Sequence, residues 1–268
     1  MGVWSNEAAA VAMACYRGTG PLRFKHGQEA VTEADARIER LLRERIAQAY
    51  PGDAVSGEEL GSDPGCDDPG CGDPGYAVPG SSARERRWHL DPIDGTLNFA
   101  LGMPGFCISL ALFQGQVPLA ACVVQPPTGD LFTAVKGRGA RLNGAPIAVS
   151  GRCRLDQAIV STQLKKGGRI VQDAVLLQTL LRHCMKTRRV GAIALELAWV
   201  AAGGCDALVA SFEGGIQLYD IAAGLLLVTE AGGRITDLQG RPYRPGGPEM
   251  LASNALVHEE LLDLLRHS

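Results

Sequence analysis

The residues best suited to chemistry lie in one short segment, Asp91–Thr96, with the sequence DPIDGT. Its proline favours extended backbone at Asp91, and both the proline and the glycine oppose a helix. We therefore predict a strand that ends at Asp91 and a sharp turn that brings its two carboxylates together. If a helix starts near Leu97, the amides of Gly95 and Thr96 form an anion site. Paired carboxylates beside an anion site favour a hard cation such as Mg²⁺ that bridges to phosphate.

Three other acids gain meaning only in combination with this segment. Glu58 follows a short apolar run at 54–55, Asp35 lies in the first turn of a predicted helix, and Asp220 lies at the start of another. Alone, each is ordinary, because loop acids are usually solvated and carboxylates commonly occupy helix caps and first turns. Together with Asp91 they support the same cation site.

The ordered motifs of the chain resemble those of the inositol monophosphatase family, in the lithium-sensitive, magnesium-dependent phosphatase superfamily. The resemblance covers nearly the whole chain and rests on VTEAD at 31–35, GEE at 57–59, DPIDGTLNF at 91–99, GGCDA at 203–207, YDIAAG at 219–224 and EAGG at 230–233. It implies an α/β (α+β) fold: a layered αβαβα sandwich with an antiparallel N-terminal sheet and a mixed C-terminal sheet. It also implies a homodimer.

The resemblance further implies a Mg²⁺-dependent phosphoric monoester hydrolase with two or three ions per active site. The implied metal ligands are Glu58, Asp91, the backbone carbonyl of Ile93, Asp94 and Asp220. Asp35 and Thr96 would orient the attacking water, which makes Asp35, Thr96 and Glu58 the expected catalytic residues. The expected substrate contacts are Asp94, Gly95, Thr96, Gly191, Ala192, Glu213 and Asp220.

Departures from the family pattern concern the substrate and leave the reaction untouched. The family's Gly-Ser/Thr-Ala-Ala segment is GAIA at 191–194, which loses a hydroxyl near the substrate ring, and Tyr219 replaces the usual Trp. The LNF tail at 97–99 and Glu213 resemble the inositol branch, so inositol monophosphate or a similar polyol phosphate is expected. Sister activities on 3′-phosphoadenosine 5′-phosphate, histidinol phosphate or fructose 1,6-bisphosphate stay open. So does a catalytically silent binding protein on the same scaffold.

Composition narrows the class of partner to a small phosphorylated metabolite. The chain has 268 residues, 46% of them hydrophobic, and a net charge of −3 from 26 basic and 29 acidic side chains. This balance, with only 5% aromatic residues, argues against binding to nucleic acid or to a membrane surface. Neither a secretory signal nor an apolar run of about 18 residues is found, so a cytoplasmic protein is expected. Cys66 and Cys71 supply only two of the ligands that a structural zinc needs.

The predicted elements change character along the chain. Helices are predicted from Ser5 or Asn6 to about Arg17 and from Thr32 to Tyr50, and the Asp-Pro-Gly repeats of 61–82 predict a string of turns. Runs at 105–113, 119–124 and 131–135 predict consecutive antiparallel strands.

Beyond residue 150, strands and helices are predicted to alternate. The strands are expected at 158–161, 188–190, 207–210 and 234–236, and the helices at about 170–184, 194–202, 219–231 and from 258. We therefore expect an N-terminal half, 1–150, that carries most metal ligands, and a C-terminal half, 151–268, that carries Asp220 and substrate contacts.

Overall fold

The structure, a computed structural model, describes residues 1–17, 23–25, 29–63, 86–164 and 170–266. The helices in these ranges are α1 (Gly2–Cys15), α2 (Glu33–Ala49), α3 (Thr96–Ala100), α4 (Ile170–His183), α5 (Ile193–Ala201), α6 (Leu218–Glu230) and α7 (His258–Arg266). The strands are β1 (Arg23–Lys25), β2 (Glu29–Val31), β3 (Ala54–Gly57), β4 (Gly61–Ser62), β5 (Arg86–Asp94), β6 (Cys107–Gln114), β7 (Val117–Gln125), β8 (Asp130–Val135), β9 (Ala140–Leu142), β10 (Ala145–Ile147), β11 (Ile159–Leu164), β12 (Lys186–Arg188), β13 (Ala207–Ser211), β14 (Arg234–Thr236) and β15 (Glu249–Ser253).

The strands form two large sheets. The first has eight strands in the order β10-β9-β8-β7-β6-β5-β3-β4, and its pairs are antiparallel except for β3 with β5. The second has five strands in the order β12-β11-β13-β15-β14. There β12, β11 and β13 run parallel, and β15 is antiparallel to both β13 and β14. The expected mixed C-terminal sheet is confirmed, whereas the N-terminal sheet, expected to be antiparallel, contains one parallel pair, β3 with β5.

Helices separate and cover the two sheets. α1 and α2 pack on the outer face of the eight-stranded sheet, α5 and α6 lie between the sheets, and α4 and α7 cover the far face of the five-stranded sheet. Each interface has its own cluster of buried apolar side chains, and the central cluster includes residues of α5, α6 and both sheets. The layered αβαβα sandwich is therefore confirmed. Because α5 and α6 contact both sheets, the division of the chain at residue 150 stays a prediction.

The second helix shows how local sequence sets the geometry near the future site. Thr32 caps α2, and its side chain and that of Asp35 form a capping box. Ile38, Leu42 and Ile46 recur at helical spacing and are fully buried, which fixes the face that α2 turns to the sheet. The predicted start and end of this helix are confirmed.

Several predicted boundaries differ from the structure. The first helix starts at Gly2 and not at Ser5 or Asn6. Ser5 lies inside α1 and is buried, with its hydroxyl 3.2 Å from the Cys122 thiol. β5 continues to Asp94, so the prediction that the strand ends at Asp91 is wrong. β1, β2, β9, β10 and β15 were not predicted, and β4 lies in the stretch predicted as turns. The Asp-Pro-Gly repeats from Pro64 onward, with Cys66 and Cys71, lie outside the described residues.

Candidate active site

A β-bulge in β5 explains how its two aspartates reach one cavity. Asp91 is paired with Ser109 and Asp94 with Cys107, so the register shifts by one residue between the pairs. In a regular strand, residues three apart point to opposite faces of the sheet, and an extra residue reverses that relation. The sequence predicted that the two carboxylates converge, but it predicted a turn where the structure has a bulged strand.

Gly95 makes the change from strand to helix possible. Its φ is +89°, and a Cβ there would lie 2.8 Å from the carbonyl oxygen of Gly105. Both conditions favour glycine, since a left-handed backbone and a close approach each disfavour a side chain. α3 begins at the next residue, Thr96, one residue before the predicted helix start.

A cavity of about 260 Å³ brings most predicted site residues together. Those that line it are Glu58, Asp91, Ile93, Asp94, Gly95, Thr96, Gly191 and Asp220. Ala192 does not line it, because it is fully buried as the N-cap of α5. Glu213 does not line it either; it is exposed and follows Phe212, which does. Asp35 lies behind Thr96.

The cavity also contains residues that the sequence did not single out. These are Leu97, Gln163, Leu164, Arg189, Ile193 and Phe212. They come from α3, the end of β11, the loop before α5, the first turn of α5 and the segment after β13, so no single sequence motif contains them. Four of them are apolar, and Gln163 and Arg189 add an amide and a positive charge to the lining.

Asp91 is the most unfavourably placed acid of the cavity. It is 2% exposed, and its Oδ1 has no hydrogen-bond partner within the described ranges. Burial raises its pKa well above the usual value, and the charges of Glu58, Asp94, Asp220 and Asp35 raise it further. Among the described residues, no three His, Cys, Asp or Glu side chains form a compact group that could hold a metal ion. The acids that line the cavity are nevertheless close enough for their charges to raise the pKa of Asp91.

Asp94 connects the strand β5 to the start of helix α5. Its Oδ1 accepts a hydrogen bond from the amide of Ile193 (3.1 Å), and its Oδ2 accepts from those of Ala194 (2.6 Å) and Leu195 (3.3 Å). A carboxylate is stabilised at the positive end of a helix. Burial nevertheless raises the pKa of Asp94 to about 7, against the opposing effect of these amides. These three bonds hold the end of β5 against the start of α5.

Asp35 and Thr96 are placed for proton transfer. The Thr96 hydroxyl is 3.4 Å from Asp35 Oδ1 and 2.9 Å from the Ile93 carbonyl oxygen, so it can donate to either. The other carboxylate oxygen of Asp35 accepts from the amide (2.9 Å) and the hydroxyl (2.6 Å) of Thr32. Burial raises the pKa of Asp35 to about 6, although the Thr32 bonds oppose the shift. A carboxylate with this pKa can accept a proton near neutral pH.

Glu39 holds the turn that follows Glu58, although no motif in the sequence singled it out. It is fully buried, accepts from the amides of Glu59 (2.8 Å) and Leu60 (3.2 Å), and pairs with Arg43 (2.9 Å). A Cβ at Gly57 would collide with its carboxylate. The one signal in the sequence was the spacing of Glu39 and Arg43, four residues apart on a helix.

Glu196 is a second buried acid that the sequence analysis missed. It accepts from the amide of Val190 (3.1 Å) and from the side chains of Ser161 and Gln163. Its signal was its position as the single charged residue in an otherwise apolar helix, 193–201. Glu196 joins the end of β11 to the loop that precedes α5.

Comparison with known proteins defines the class of this chain. A family model for the inositol monophosphatase family matches residues 6–268. An inositol-1-monophosphatase of Rhizobium meliloti is 38% identical over 250 residues, which cover 91% of this chain and 85% of that protein. A protein named Nus factor SuhB, from Xylella fastidiosa, is 34% identical over 249 residues, 90% of this chain and 83% of that protein. The solved IMPase of Thermotoga maritima superposes with a TM-score of 0.83 at 28% identity, covering 99% of this chain and 95% of that one.

These matches define a phosphatase, a hydrolase of phosphoric monoesters. The chain belongs to the inositol monophosphatase family. The resemblance noted in its motifs is therefore confirmed. Within the described parts of the chain, no helix is both long and apolar enough to cross a membrane.

Proposed function

We propose that this protein is a Mg²⁺-dependent phosphatase for a small polyol phosphate, with inositol monophosphate as the expected substrate. One observation carries the proposal: Asp91, whose buried Oδ1 has no hydrogen-bond partner among the described residues, lines a cavity together with Glu58, Asp94 and Asp220. An unpartnered carboxylate oxygen among like charges is costly in a protein interior. A divalent cation removes that cost.

The donor set fits magnesium. Glu58, Asp91, Asp94, Asp220 and the carbonyl of Ile93 offer oxygen atoms only, which hard cations prefer. We propose that they hold two or three ions. When bound, Mg²⁺ lowers the pKa of a water molecule and neutralises charge on the leaving oxygen.

The proton of the attacking water goes, in this proposal, to the pair formed by Thr96 and Asp35. The Thr96 hydroxyl lines the cavity and lies within reach of Asp35, which is itself removed from solvent. Thr96 accepts the proton from the water as it passes its own to Asp35 Oδ1. Glu58, whose backbone neighbours are held by Glu39, orients the same water from the opposite side of the cavity.

The substrate is placed by groups around the same cavity. The amides of Gly95 and Thr96 hold phosphate oxygens, and Asp94, Gly191 and Asp220 contact the polyol. Ala192, which is fully buried and caps α5, contributes by positioning Gly191 and the start of that helix. Glu213, at the exposed rim beside Phe212, accepts from outer hydroxyls.

We also propose a homodimer that acts in the cytoplasm. Val171, Val175, Leu181 and Met185 are exposed apolar side chains on α4 and just after it. They lie beside β12, an edge strand of the five-stranded sheet, and an edge strand can pair with its own copy across a two-fold axis. Leu181→Lys should shift the sedimentation coefficient from dimer to monomer, whereas a monomeric wild type would contradict the proposal.

The net charge of −3 favours a metabolite over a nucleic acid as partner.

A panel of phosphate esters tests the reaction and its substrate. Inositol 1-phosphate, 3′-phosphoadenosine 5′-phosphate, histidinol phosphate and fructose 1,6-bisphosphate are offered with and without Mg²⁺, and released phosphate is measured. We expect the highest kcat/KM for the inositol ester and no release without the cation. Preference for another ester would identify a sister phosphatase. Release from none of them would favour the silent binding protein.

A further inference from the structure

Gln163 is a polar residue of the cavity that the proposed reaction leaves without a role. It lies near the end of β11, is 7% exposed, and lines the cavity together with Asp94 and Gly191. Its neighbours in the lining are apolar at Leu164, Ile193 and Phe212, and the Arg189 guanidinium donates to the Leu164 carbonyl (2.6 Å). A glutamine in such a wall is unusual unless its amide has partners.

The orientation of the Gln163 amide is set by Glu196. Its Nε2 donates to Glu196 Oε2, and an ionised carboxylate can only accept hydrogen bonds. The amide oxygen of Gln163 must therefore point away from Glu196. This oxygen has no hydrogen-bond partner in the described part of the chain. It is not one of the unpartnered polar atoms that are fully buried, so a ligand can reach it. The carbonyl oxygen is thus the polar atom that Gln163 turns to the cavity.

Glu196 itself is held firmly, so this orientation is fixed. It is fully buried on α5, and its Oε1 accepts from the amide of Val190 (3.1 Å) and from the hydroxyl of Ser161. These donors come from the strand β11 and from the loop before α5, so the carboxylate cannot turn without breaking contacts to both. A fixed neighbour leaves the Gln163 carbonyl preorganised.

A neutral acceptor in this position is suited to a hydroxyl donor. The adjacent segment 191–194 has the sequence GAIA and offers no side-chain hydroxyl or amide. The acids of the cavity are assigned to the proposed metal ions, and Arg189 can only donate hydrogen bonds. We infer that Gln163 is a specificity-determining residue: its side-chain carbonyl, positioned by Glu196, accepts a hydrogen bond from a hydroxyl of the polyol substrate. This inference rests on the proposed function and adds to it the recognition of the alcohol part.

The test compares two substrates in one variant. Gln163→Met keeps the length and volume of the side chain and removes the carbonyl oxygen. With saturating Mg²⁺, kcat/KM is measured for inositol 1-phosphate and for p-nitrophenyl phosphate, which has no hydroxyl to donate. We expect about a tenfold loss for the inositol ester, the size of one good hydrogen bond, and less than about a twofold change for the aryl ester.

A matched control is available at Gln125, which is also 7% exposed and lies outside the cavity lining. Gln125→Met should leave the ratio of the two kcat/KM values unchanged. Glu196→Gln tests the positioning role, since an amide there can bind Gln163 in either orientation. It should raise KM for the inositol ester and leave KM for the aryl ester near that of the wild type. Should Gln163→Met lower Tm strongly, Gln163→Asn, which withdraws the oxygen by one methylene, gives the same comparison.

Three outcomes contradict the inference. Equal losses on both substrates would make Gln163 a structural residue, and no loss on either would show that its carbonyl is not used. In both cases the wild type still hydrolyses the esters, so the proposed function stands. A wild type that hydrolyses neither ester contradicts the proposed function and, with it, the inference.

Discussion

Two fully buried aspartates of this protein have opposite surroundings. Asp206 is 0% exposed and is surrounded by donors: the Arg152 guanidinium at 2.8 Å from each oxygen, the amide of Ile159 at 2.7 Å and the hydroxyl of Ser150. Asp91 is 2% exposed, leaves one oxygen without a partner, and lies among other acids. The two residues are equally buried, and only their partners differ.

The contrast separates a structural acid from a functional one. Asp206 joins the start of β11 to the segment after β10, where a charge fully matched by donors holds chain segments together. The position of Asp91 does not stabilise the fold, because desolvation and like charges both oppose its ionisation. Unfavourable placement of this kind is typical of sites that bind a ligand of opposite charge.

The largest effect is expected at Asp35, which lies in the active site with Asp91. Asp35→Asn keeps the cap on α2 but removes the base that accepts the proton from Thr96. Turnover should fall about 10²–10⁴-fold, while the Mg²⁺ concentration for half-maximal activity changes little. Glu33→Gln, an exposed acid in the same helical turn, is the control. Rescue of Asp35→Asn by high Mg²⁺ would mean that Asp35 is a metal ligand.

The second effect tests the structural side. Asp206→Asn removes the charge that pairs with Arg152, and breaking a buried pair of this kind is strongly destabilising. We expect a loss of about 2–4 kcal/mol in the free energy of unfolding, somewhat reduced because the Arg152 side chain is 36% exposed. Urea unfolding measures it, with Asp156→Asn in an exposed pair as the control. If the folded fraction of Asp206→Asn lost its turnover, Asp206 would have a role in activity and the contrast with Asp91 would be wrong.

The smallest effect concerns His258, a buried titratable group with partners on both ring nitrogens. Its Nδ1 is 2.7 Å from the Ser253 hydroxyl and its Nε2 2.9 Å from that of Thr236. Burial, helped by the Arg234 charge, lowers its pKa from 6.5 to about 4. Between pH 6.5 and about 4, His258 is protonated in the unfolded chain and neutral in the folded one. The free energy of unfolding therefore keeps its full value above pH 6.5 and falls as the pH drops toward 4.

In this range the free energy of unfolding should fall by up to about 1.4 kcal/mol for each pH unit. Urea unfolding of the wild type and of His258→Gln across this range isolates the contribution, because all other titrating groups are shared. The variant should show a flatter dependence. Identical pH profiles for the two proteins would show that His258 titrates normally when folded.

The sequence predicted what depends on neighbours along the chain. The DPIDGT segment, the cap at Thr32 and the antiparallel strands from 105 to 135 are specified locally by proline, glycine and apolar alternation. The family's motifs supplied Glu58 and Asp220. These expectations placed Asp35, Glu58, Asp94 and Asp220 near element ends, where the structure has them, whereas Asp91 lies inside β5.

The rest depends on contacts between distant segments. The bulge between Asp91 and Asp94 is set by pairing with β6, and Glu39 contacts a residue 20 positions away. Gln163 and Glu196 are 33 positions apart, and neither is unusual by itself. β15 was missed because its five residues enter the parallel part of the sheet in reverse direction, outside the alternation of strand and helix.

The central claim is that Asp91 is placed to bind a cation and not to stabilise the fold. Thermal unfolding of the wild type and of Asp91→Asn, each with and without Mg²⁺, tests it directly. Mg²⁺ should raise Tm of the wild type, since a ligand of the folded state stabilises it. Asp91→Asn should have an equal or higher Tm without Mg²⁺ and no response to the ion. A wild type indifferent to Mg²⁺, or a variant as destabilised as Asp206→Asn, would contradict the account.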